Sequence, residues 1–421
     1  MNLRFLPGPA FFCGASLTFA QLPVEPLEIP PVEPNFVHDS WLIDNHWPLK
    51  TKQEGINVAH HPLQKHASGP FEIFGEDKPS YAWVVKDEAD DGSRIFRMYY
   101  QANIPIARVE GKGSYRTDIA YAESKDGISW TKPDLDLFPE KAVEGRPNNV
   151  VVAFEGKPQW GGSAPALIEN LPDGDQRRYR FVMLYRVKGR GTGDQAGLHL
   201  VGTKDGIHFD MVNDFHIAHL HSDCPNTIHF DPAAGRYQLL CRAKQIYRAF
   251  GDEMIDTGAS RRVATMFSPK LWTDWLEHSA PQTLLVPDER DGDHRYFYGM
   301  PTVHRHGLAW GFLEVFRMND LIHTEVVTSR DGAHWWRHAD RPKLIEYGED
   351  GTWDDTMTFT SPAWVAVGNH WYIYYSGWDG PHGTSEREGT IGLATCLRER
   401  IYSRRGSKSG GVVCTRTLTW P

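Results

Sequence analysis

Two short stretches, RMYYQ (Arg97–Gln101) and IAYAESKDGISW (Ile119–Trp130), carry the pattern that decides the fold of this chain. Both are rich in the apolar and aromatic residues typical of β-strands. In the second stretch an Asp-Gly pair follows the strand. This pair favours a tight turn, because Gly tolerates positive φ and Asp accepts hydrogen bonds from backbone N–H groups. The repeating unit is therefore two strands and a closing turn.

The same unit returns four more times along the 421 residues, at intervals of roughly 60 to 80 residues. A single four-stranded sheet cannot cover both of its apolar faces, whereas sheets arranged radially cover one another. We therefore expect an all-β protein, a five-bladed β-propeller of four-stranded antiparallel sheets. The further copies begin with RFVMLYR (Arg180–Arg186), YQLLCRA (Tyr237–Ala243), LAWGFLEV (Leu308–Val315) and WYIYYSGW (Trp371–Trp378).

The N-terminal segment indicates export. Residues 1–20 hold an arginine, an apolar stretch and small residues before the expected cleavage point, as a secretory signal peptide does. No later segment is long and apolar enough to span a bilayer, so we expect a secreted or periplasmic protein. Residues 21–35 form a Pro-rich spacer, 36–403 the propeller and 404–421 a C-terminal tail.

Strand-like alternation in Phe36–Leu49 predicts a strand that joins a blade built mainly by the C-terminal part of the chain. Such pairing would close a ring of sheets. The innermost strand of every blade would then present its side chains to one central funnel. Polar and acidic groups near the starts of those strands are the residues we expect to face it.

Composition restricts the partners. The net charge of −9 and the scattered basic residues argue against nucleic acid, whose phosphates require a basic face. The 15 Trp and 16 Tyr residues suit stacking on sugar faces, although propeller strands also use aromatic rings for packing. No CxxC pair is present, so Cys224, Cys241, Cys396 and Cys414 are expected either as buried free thiols or as oxidised pairs. The oligomeric state stays open.

The chain resembles the five-bladed propeller glycoside hydrolases, the superfamily of families 32, 43 and 68, and most closely a group of uncharacterised family-32-like bacterial proteins. The resemblance implies three acids at the mouth of the funnel. The family-32 sequence Trp-Met-Asn-Asp-Pro and its Arg-Asp-Pro and Glu-Cys companions are absent, so we choose site residues individually. The resemblance also implies that residues 404–421 are a C-terminal tail or the remnant of an accessory β-sandwich. The matching stretches include YAESKDGISWTKPDL, SDCPNTIHFDPAAGRYQLLCRA, YFYGMPTV, TWDDTM and IGLATCLRERIYS.

Glycoside cleavage requires two carboxyl groups, one protonated to assist the leaving group and one ionised. The catalytic candidates are Asp223, Asp354 and Glu314. Asp223 precedes an inner strand, and the alternative is that it caps its own turn. Asp354 enters the fifth inner strand. Glu314 interrupts an apolar strand, where it is either catalytic, paired with Arg317 or directed to solvent.

The substrate-binding candidates are Arg242, His382, Asn149, Trp353 and Asp355. Arg242 ends the YQLLCR strand, where its guanidinium would clamp a carboxylate, a sulfate or sugar hydroxyls. His382 lies in a loop predicted to overhang the funnel. Asn149 would bond sugar hydroxyls or turn the chain. Trp353 would offer a stacking platform, with Asp355 beside it on the opposite strand face from Asp354.

Other titratable residues are assigned structural roles. Asp126, Asp205 and Asp331 recur in the Asp-Gly turns of three of the five copies, so we expect them to bond local backbone. The histidines at positions 60, 61 and 66 lack a carboxylate at ligand spacing, so we predict no metal site. No cofactor is indicated, and a structural Ca²⁺ at the propeller axis stays open.

The function expected from these residues is hydrolysis of a plant or algal oligosaccharide or polysaccharide by paired carboxylates in the central funnel. The alternative is a non-catalytic glycan-binding propeller, which would keep the aromatic rings and Arg242 without a usable carboxyl pair. A third possibility, a scaffold for protein partners, would have a broad apolar or charged rim in place of a deep pocket.

Overall fold

The computed structural model of the protein describes most of the chain from residue 55 onward. It divides the chain into two compact units, residues 58–403 and a smaller unit of 1–57 with 404–421. In the smaller unit the described strands Leu27–Glu28 and Leu418–Thr419 pair in parallel. The described residues are 27–28, 55–89, 92–109, 112–153, 161–187, 196–220, 222, 224–243, 247–250, 253–256, 261–292, 296–384, 387–415 and 418–419.

The larger unit is nearly all β, and its first three sheets follow one another along the chain. Neighbours within each run antiparallel. In every case the strand pair of one sequence copy forms the middle of the sheet, which confirms that part of the prediction. The first sheet consists of Ser80–Glu88, Arg94–Val109, Lys112–Ser124 and Trp130–Thr131, with Val150–Val152 added; the second of Gly162–Leu167, Phe181–Val187, Gly197–Thr203 and Phe215–Ala218; the third of Thr227–Asp231, Arg236–Ala243, Arg262–Ser268 and Gln282–Leu285.

The next sheet of the larger unit has nine strands and contains two antiparallel groups, which we call the fourth and fifth groups. A single parallel bridge, Ile322 to Met357, joins them. The fourth group consists of Tyr296–Gly299, Thr302–Arg305, Leu308–Phe316, Ile322–Ser329 and Trp336–Arg337; the fifth of Met357–Val367, His370–Trp378, Gly389–Leu397 and Gln64–Lys65.

The fifth group combines strands from opposite ends of the larger unit, because Gln64–Lys65 pairs with Gly389–Leu397. The sequence pattern pointed to Phe36–Leu49 for this pairing, and that segment lies outside the described residues. Gln64–Lys65 is only two residues long and has no alternation of its own, so its pairing is decided by tertiary contacts. The remaining strands are Ile56–His60, Tyr247–Phe250, Glu253–Asp256 and Tyr402–Gly406.

The Asp-Gly turns have the structure predicted for them. Asp126 Oδ1 accepts hydrogen bonds from the backbone N–H groups of Ile128 and Ser129, both at 2.7 Å. Asp205 and Asp331 bind the backbone two and three residues ahead in the same way. The aromatic residue three positions after each turn glycine packs into a hydrophobic cluster between sheets, as Trp130 does beside Phe71 and Phe74.

The helices are short. Among the described residues, none is long and apolar enough to cross a membrane. The described α-helix is Asp173–Gln176, and the described 3-10 helices are Glu72–Asp77, Pro139–Lys141, Met211–Asn213, Trp275–Glu277 and Glu289–Asp291.

Candidate functional site

The strand Leu308–Phe316 places Glu314 in the interior of the fourth group. All nine residues of this strand are buried, and Glu314 has no exposed surface. Glu314 lies opposite Thr324 on one neighbouring strand and opposite Gly299 on the other. A Cβ added at Gly299 would lie 2.7 Å from Glu314 Oε2, so glycine leaves the space that the carboxyl group occupies.

The electrostatic state of Glu314 follows from its burial. Neither of its carboxyl oxygens has a hydrogen-bond partner among the described residues. Burial raises the pKa of Glu314 to about 8, and the charge of Arg242 opposes this only in part. The group is therefore protonated at neutral pH. A carboxylic acid with such a pKa is suited to donate a proton to a leaving group.

Two predicted binding residues contact Tyr298, the chain neighbour of Gly299, which lies opposite Glu314. The guanidinium carbon of Arg242, which is almost fully buried, lies 4.8 Å from the centroid of this ring. His382 Nε2 lies 3.2 Å from the Tyr298 hydroxyl oxygen. Burial, together with the charges of Arg261 and Arg387, lowers the pKa of His382 to about 4, so its imidazole is neutral at pH 7.

Two further arginines belong to the same cluster and were missed at the sequence level. The guanidinium carbon of Arg261 lies 4.7 Å from the Tyr298 ring centroid and 5.0 Å from that of Phe316. Burial first, and the charge of Arg242 second, lower the pKa of Arg186 to about 10. We call Glu314, Arg186, Arg242, Arg261, Tyr298 and His382 the central cluster.

A signal for part of this cluster was present in the repeats. Arg186 ends RFVMLYR, Arg242 ends YQLLCR, and Glu314 ends the corresponding LAWGFLE of the fourth copy. The three residues occupy the same place in successive copies, and the structure buries Arg242 and Glu314 there. A polar residue at a repeated strand position is thus informative when its identity changes from copy to copy, because a purely structural role favours one residue type.

Tyr81 and Cys224 are two further described neighbours of Glu314. The ring centroid of Tyr81 lies 5.6 Å from that of Phe359, and its backbone has φ of 55°, which is strained for a residue other than glycine. Burial, followed by the neighbouring Tyr298 and Glu314, raises the pKa of Tyr81 well above its usual range. Burial and Glu314 likewise raise the pKa of the Cys224 thiol. Both groups therefore stay neutral at pH 7.

Asp354 lies among the residues of the fifth group. Its carboxylate accepts a hydrogen bond from the Tyr375 hydroxyl at 2.8 Å and forms an ion pair with Lys65 at 2.6 Å. A Cβ added at Gly377 would lie 2.4 Å from the Asp354 Cβ. Consecutive strand residues face opposite sides of a sheet, so Gly377 and Trp378 lie on different sides. Asp354 packs at Gly377, whereas Trp378 packs in the hydrophobic cluster that contains Tyr298. These contacts satisfy the carboxylate within its own sheet.

The two residues beside Asp354 also make local contacts. The Trp353 ring lies against Gly377 and Gly392 and has its centroid 5.2 Å from that of Tyr375, so the ring packs on the fifth group. Asp355 Oδ2 accepts a hydrogen bond from the backbone N–H of Gly351 at 2.7 Å.

Asn149 is buried in the first sheet, where its side-chain amide donates to the Tyr121 carbonyl at 2.6 Å and to the Tyr100 hydroxyl at 2.9 Å. Asp223 lies outside the described residues. Its chain neighbours are described: Ser222 Oγ accepts a hydrogen bond from the backbone N–H of Arg242 at 2.8 Å, and Cys224 lies beside Glu314.

No group of three or more His, Cys, Asp or Glu side chains within the described part of the chain is arranged to hold a metal ion. Of the histidines considered at the sequence level, His61 contacts the Ser403 hydroxyl at 2.7 Å and His66 that of Ser68 at 2.7 Å. The four cysteines of residues 21–421 are free thiols, and Cys224 and Cys241 are buried.

Among the solved structures that resemble this chain are two from bacterial carbohydrate-active proteins. An N-acetylgalactosamine deacetylase from F. plautii, in complex with blood group B trisaccharide, is 16% identical over 82% of this chain and 97% of its own, with a TM-score of 0.51. A glycosyl hydrolase from Bacteroides ovatus is 13% identical over 82% of this chain and 95% of its own, with a TM-score of 0.50. No protein-family model and no curated protein matches the sequence.

The chain shares its fold with these two proteins. Because the two similar proteins carry different activities in their names, the fold alone does not determine the reaction. The chemistry of this protein has to be argued from the central cluster. Strands of the second sheet, the third sheet and the fourth group supply Arg186, Arg242 and Glu314, and Arg261 directly precedes the strand Arg262–Ser268.

Proposed function

We propose that the protein is a glycoside hydrolase with Glu314 as its general acid. The observation that carries this proposal is the full burial of a carboxyl group whose pKa is raised to about 8 and whose oxygens have no partner among the described residues. Structural carboxylates are normally paired or hydrogen-bonded, since an unsatisfied one destabilises the fold. Groups with strongly perturbed pKa values concentrate at functional sites.

The second carboxylate in this proposal is Asp223, the nucleophile or the base that activates water. It is supported by its chain neighbours, because Ser222 contacts the backbone of Arg242 and Cys224 adjoins Glu314. Paired carboxyl groups in glycosidases are separated by about 5 to 10 Å, which covers both stereochemical outcomes. Asp354 is the weaker candidate, since Lys65 and Tyr375 already satisfy it.

The substrate in this proposal is a plant or algal oligosaccharide or polysaccharide, bound at the central cluster. The sheets would form a ring of five blades around the central cluster, closed by pairing of Gln64–Lys65 with the last strands. The proposal includes export to the periplasm or the medium, directed by residues 1–20. The sequence of residues 1–20 supports export. The fold shared with a glycosyl hydrolase supports the choice of a glycan substrate.

The test compares Glu314→Gln and Asp223→Asn with the wild type on a broad glycan panel. Loss of general acid catalysis lowers kcat by about 10²- to 10⁴-fold. The Gln variant should recover most of this loss on an aryl glycoside whose phenol departs without protonation. Wild-type kcat should fall as the pH rises above about 8, where Glu314 ionises. Asp223→Asn should abolish turnover on both kinds of substrate with a nearly unchanged Tm.

Asp331→Asn serves as the matched control, because its carboxylate binds its own turn. Full activity of Glu314→Gln on unactivated glycans would remove Glu314 from the mechanism. A wild type that binds glycans but cleaves none would favour the non-catalytic, glycan-binding alternative.

A further inference from the structure

The segment that begins the third sheet and the one that begins the fourth group lie side by side. A Cβ added at Gly299 would lie 3.0 Å from Cys224 Sγ. Three positions further along both segments, the backbone N–H of Thr302 donates to Thr227 Oγ1 at 3.0 Å. Because the spacing between the two contacts is the same on each side, the segments run in the same direction and in register.

Two positions further on, the same register brings two histidines into contact. The ring centroids of His229 and His304 are 3.3 Å apart, and the planes of the rings differ by 13°. The rings therefore stack face to face across the boundary between the third sheet and the fourth group. We call residues 224–231 and 299–305 the histidine junction.

The charged groups around the stack come from three chain segments. Arg305 follows His304, and its guanidinium binds both carboxylate oxygens of Glu169, at 2.6 and 3.1 Å. Asp231 lies two residues after His229, and its carboxylate accepts hydrogen bonds from backbone N–H groups of its own turn. Both acids thus already have donors of their own.

The two imidazole rings are neutral at pH 7. Burial first, and then the charges of His229 and Arg305, lower the pKa of His304 to about 3. Burial also lowers the pKa of His229, against the charges of Asp231 and Glu169. Two imidazolium rings in face-to-face contact repel each other, whereas a histidine in water takes up a proton near pH 6.5. Acid therefore favours a state in which the rings are apart.

The other end of the histidine junction lies beside Glu314. Gly299 is opposite Glu314 in the sheet. A Cβ added at Gly299 would meet Glu314 Oε2 at 2.7 Å as well as the Cys224 thiol. Separation of the two segments would therefore loosen residues that enclose the Glu314 carboxyl group.

We propose that the histidine junction is a pH-sensitive switch, in which protonation of the His229–His304 stack below about pH 5 separates the two segments and opens the surroundings of Glu314. The inference rests on the proposed function only for its consequence, which is reversible loss of turnover in acid. The opening itself does not depend on catalysis.

Labelling of the Cys224 thiol measures the opening, because this thiol is fully buried in the junction. Dithiodipyridine reacts with thiols at acid pH, and mass spectrometry assigns the labelled cysteine. Relative to a free thiol at the same pH, Cys224 of the wild type should be labelled about 10- to 100-fold faster at pH 4.5 than at pH 7, since the opened state gains the proton of His304. Cys241, buried in the middle of the same sheet, should stay unlabelled, which separates local opening from unfolding.

Two variants test the histidines. His304→Phe keeps a flat ring on His229 but takes up no proton, so the rise in Cys224 labelling should be at least about 10-fold smaller than in the wild type. His229→Phe should act in the same direction. His370→Phe, at an exposed position of the strand His370–Trp378, is the matched control and should respond like the wild type. Thermal unfolding at pH 7 checks the fold of each variant.

The switch is overturned if Cys224 labelling in the wild type does not rise in acid, if Cys241 is labelled equally fast, or if His304→Phe and His229→Phe respond like His370→Phe. Failure of the hydrolase proposal is distinguishable, because labelling needs no substrate. Histidine-dependent labelling in a protein that cleaves no glycan would retain the switch and reject hydrolysis. Cleavage of a glycan without an acid response of Cys224 would do the reverse.

Discussion

The acids of the Asp-Gly turns and Glu314 of the central cluster differ in the direction in which the fold shifts their pKa values. Partial burial disfavours ionisation of Asp126, but the backbone N–H groups of Ser129 and Ile128 outweigh it and hold the pKa to about 2. Hydrogen bonds likewise keep the pKa of Asp331 below its usual range. At Glu314 burial acts without any such donors, and the pKa rises to about 8.

The difference is the basis of our proposal that Glu314 is functional whereas the turn acids are structural. The turn acids are satisfied by donors within three residues, so each turn needs its own acid and the motif recurs. Glu314 occurs once, and strands from other sheets determine its surroundings. A carboxyl group that the fold leaves unsatisfied in its interior destabilises the protein, which is the usual cost of a prepared catalytic group.

The largest effect expected from this contrast is on the pH dependence of stability. In the unfolded chain Glu314 ionises at about pH 4.5, whereas in the fold it keeps its proton to about pH 8. Its contribution to stability is therefore fully present below pH 4.5 and is lost as the pH rises toward 8. At pH 7 Glu314→Gln should be more stable than the wild type by roughly 3 kcal/mol, and at pH 4 by almost nothing.

Urea unfolding at pH 4, 5.5, 7 and 8.5 measures this difference. Asp126→Asn is the opposite control, since a depressed pKa contributes stability above pH 4 that is lost as the pH falls toward 2. If wild type and Glu314→Gln respond to pH in parallel, Glu314 does not carry a proton in the folded state.

A smaller effect is expected at Asp354, a buried acid that has partners. Asp354→Asn removes the ion pair with Lys65 and leaves the Tyr375 hydroxyl a neutral acceptor. Because Lys65 is one-third exposed and can turn to water, the loss of stability should be about 2 kcal/mol, below the value for a fully buried pair. Activity should change little.

Lys65→Met provides the matching control, because it removes the same ion pair from its other side. Urea unfolding and steady-state turnover are measured for both variants. If Asp354→Asn lost its catalytic activity by about 10³-fold while its stability stayed unchanged, Asp354 would belong to the reaction and its contrast with Glu314 would be reversed.

The smallest effect is expected in the turns. Asp331→Ala removes the acceptor for the backbone N–H groups of Ala333 and His334. The change resembles loss of a helix cap and should lower stability by about 1 kcal/mol, because the freed N–H groups can bind water.

Thermal unfolding measures the change at Asp331, and Asp331→Asn should recover part of it, since the amide oxygen can still accept. Turnover is expected to match the wild type. A turn variant that lost activity while keeping its Tm would contradict the structural role of these acids.

Much of the fold could be predicted because its determinants are local. The strand pairs such as YQLLCRA with VATMFS occupy the middle of their sheets, and the Asp-Gly turns bind their own backbone. The pairing of Gln64–Lys65 with Gly389–Leu397 could not be predicted, since this two-residue strand has no periodicity of its own. In the site, Arg242 and His382 were recognised by type and place, while Arg186, Arg261 and Tyr298 were missed.

The sequence by itself determined the strands and turns, because alternation and turn chemistry act between residues a few positions apart. Only the tertiary structure decided which polar residues become chemically unusual. Asp354 and Glu314 are both acids in or beside buried strands. Asp354 contacts Lys65 and Tyr375, whereas Glu314 lies beside Gly299 and Cys224 and is affected by the charge of Arg242. Burial and the charges of distant segments set a pKa, and neither quantity exists until the sheets pack.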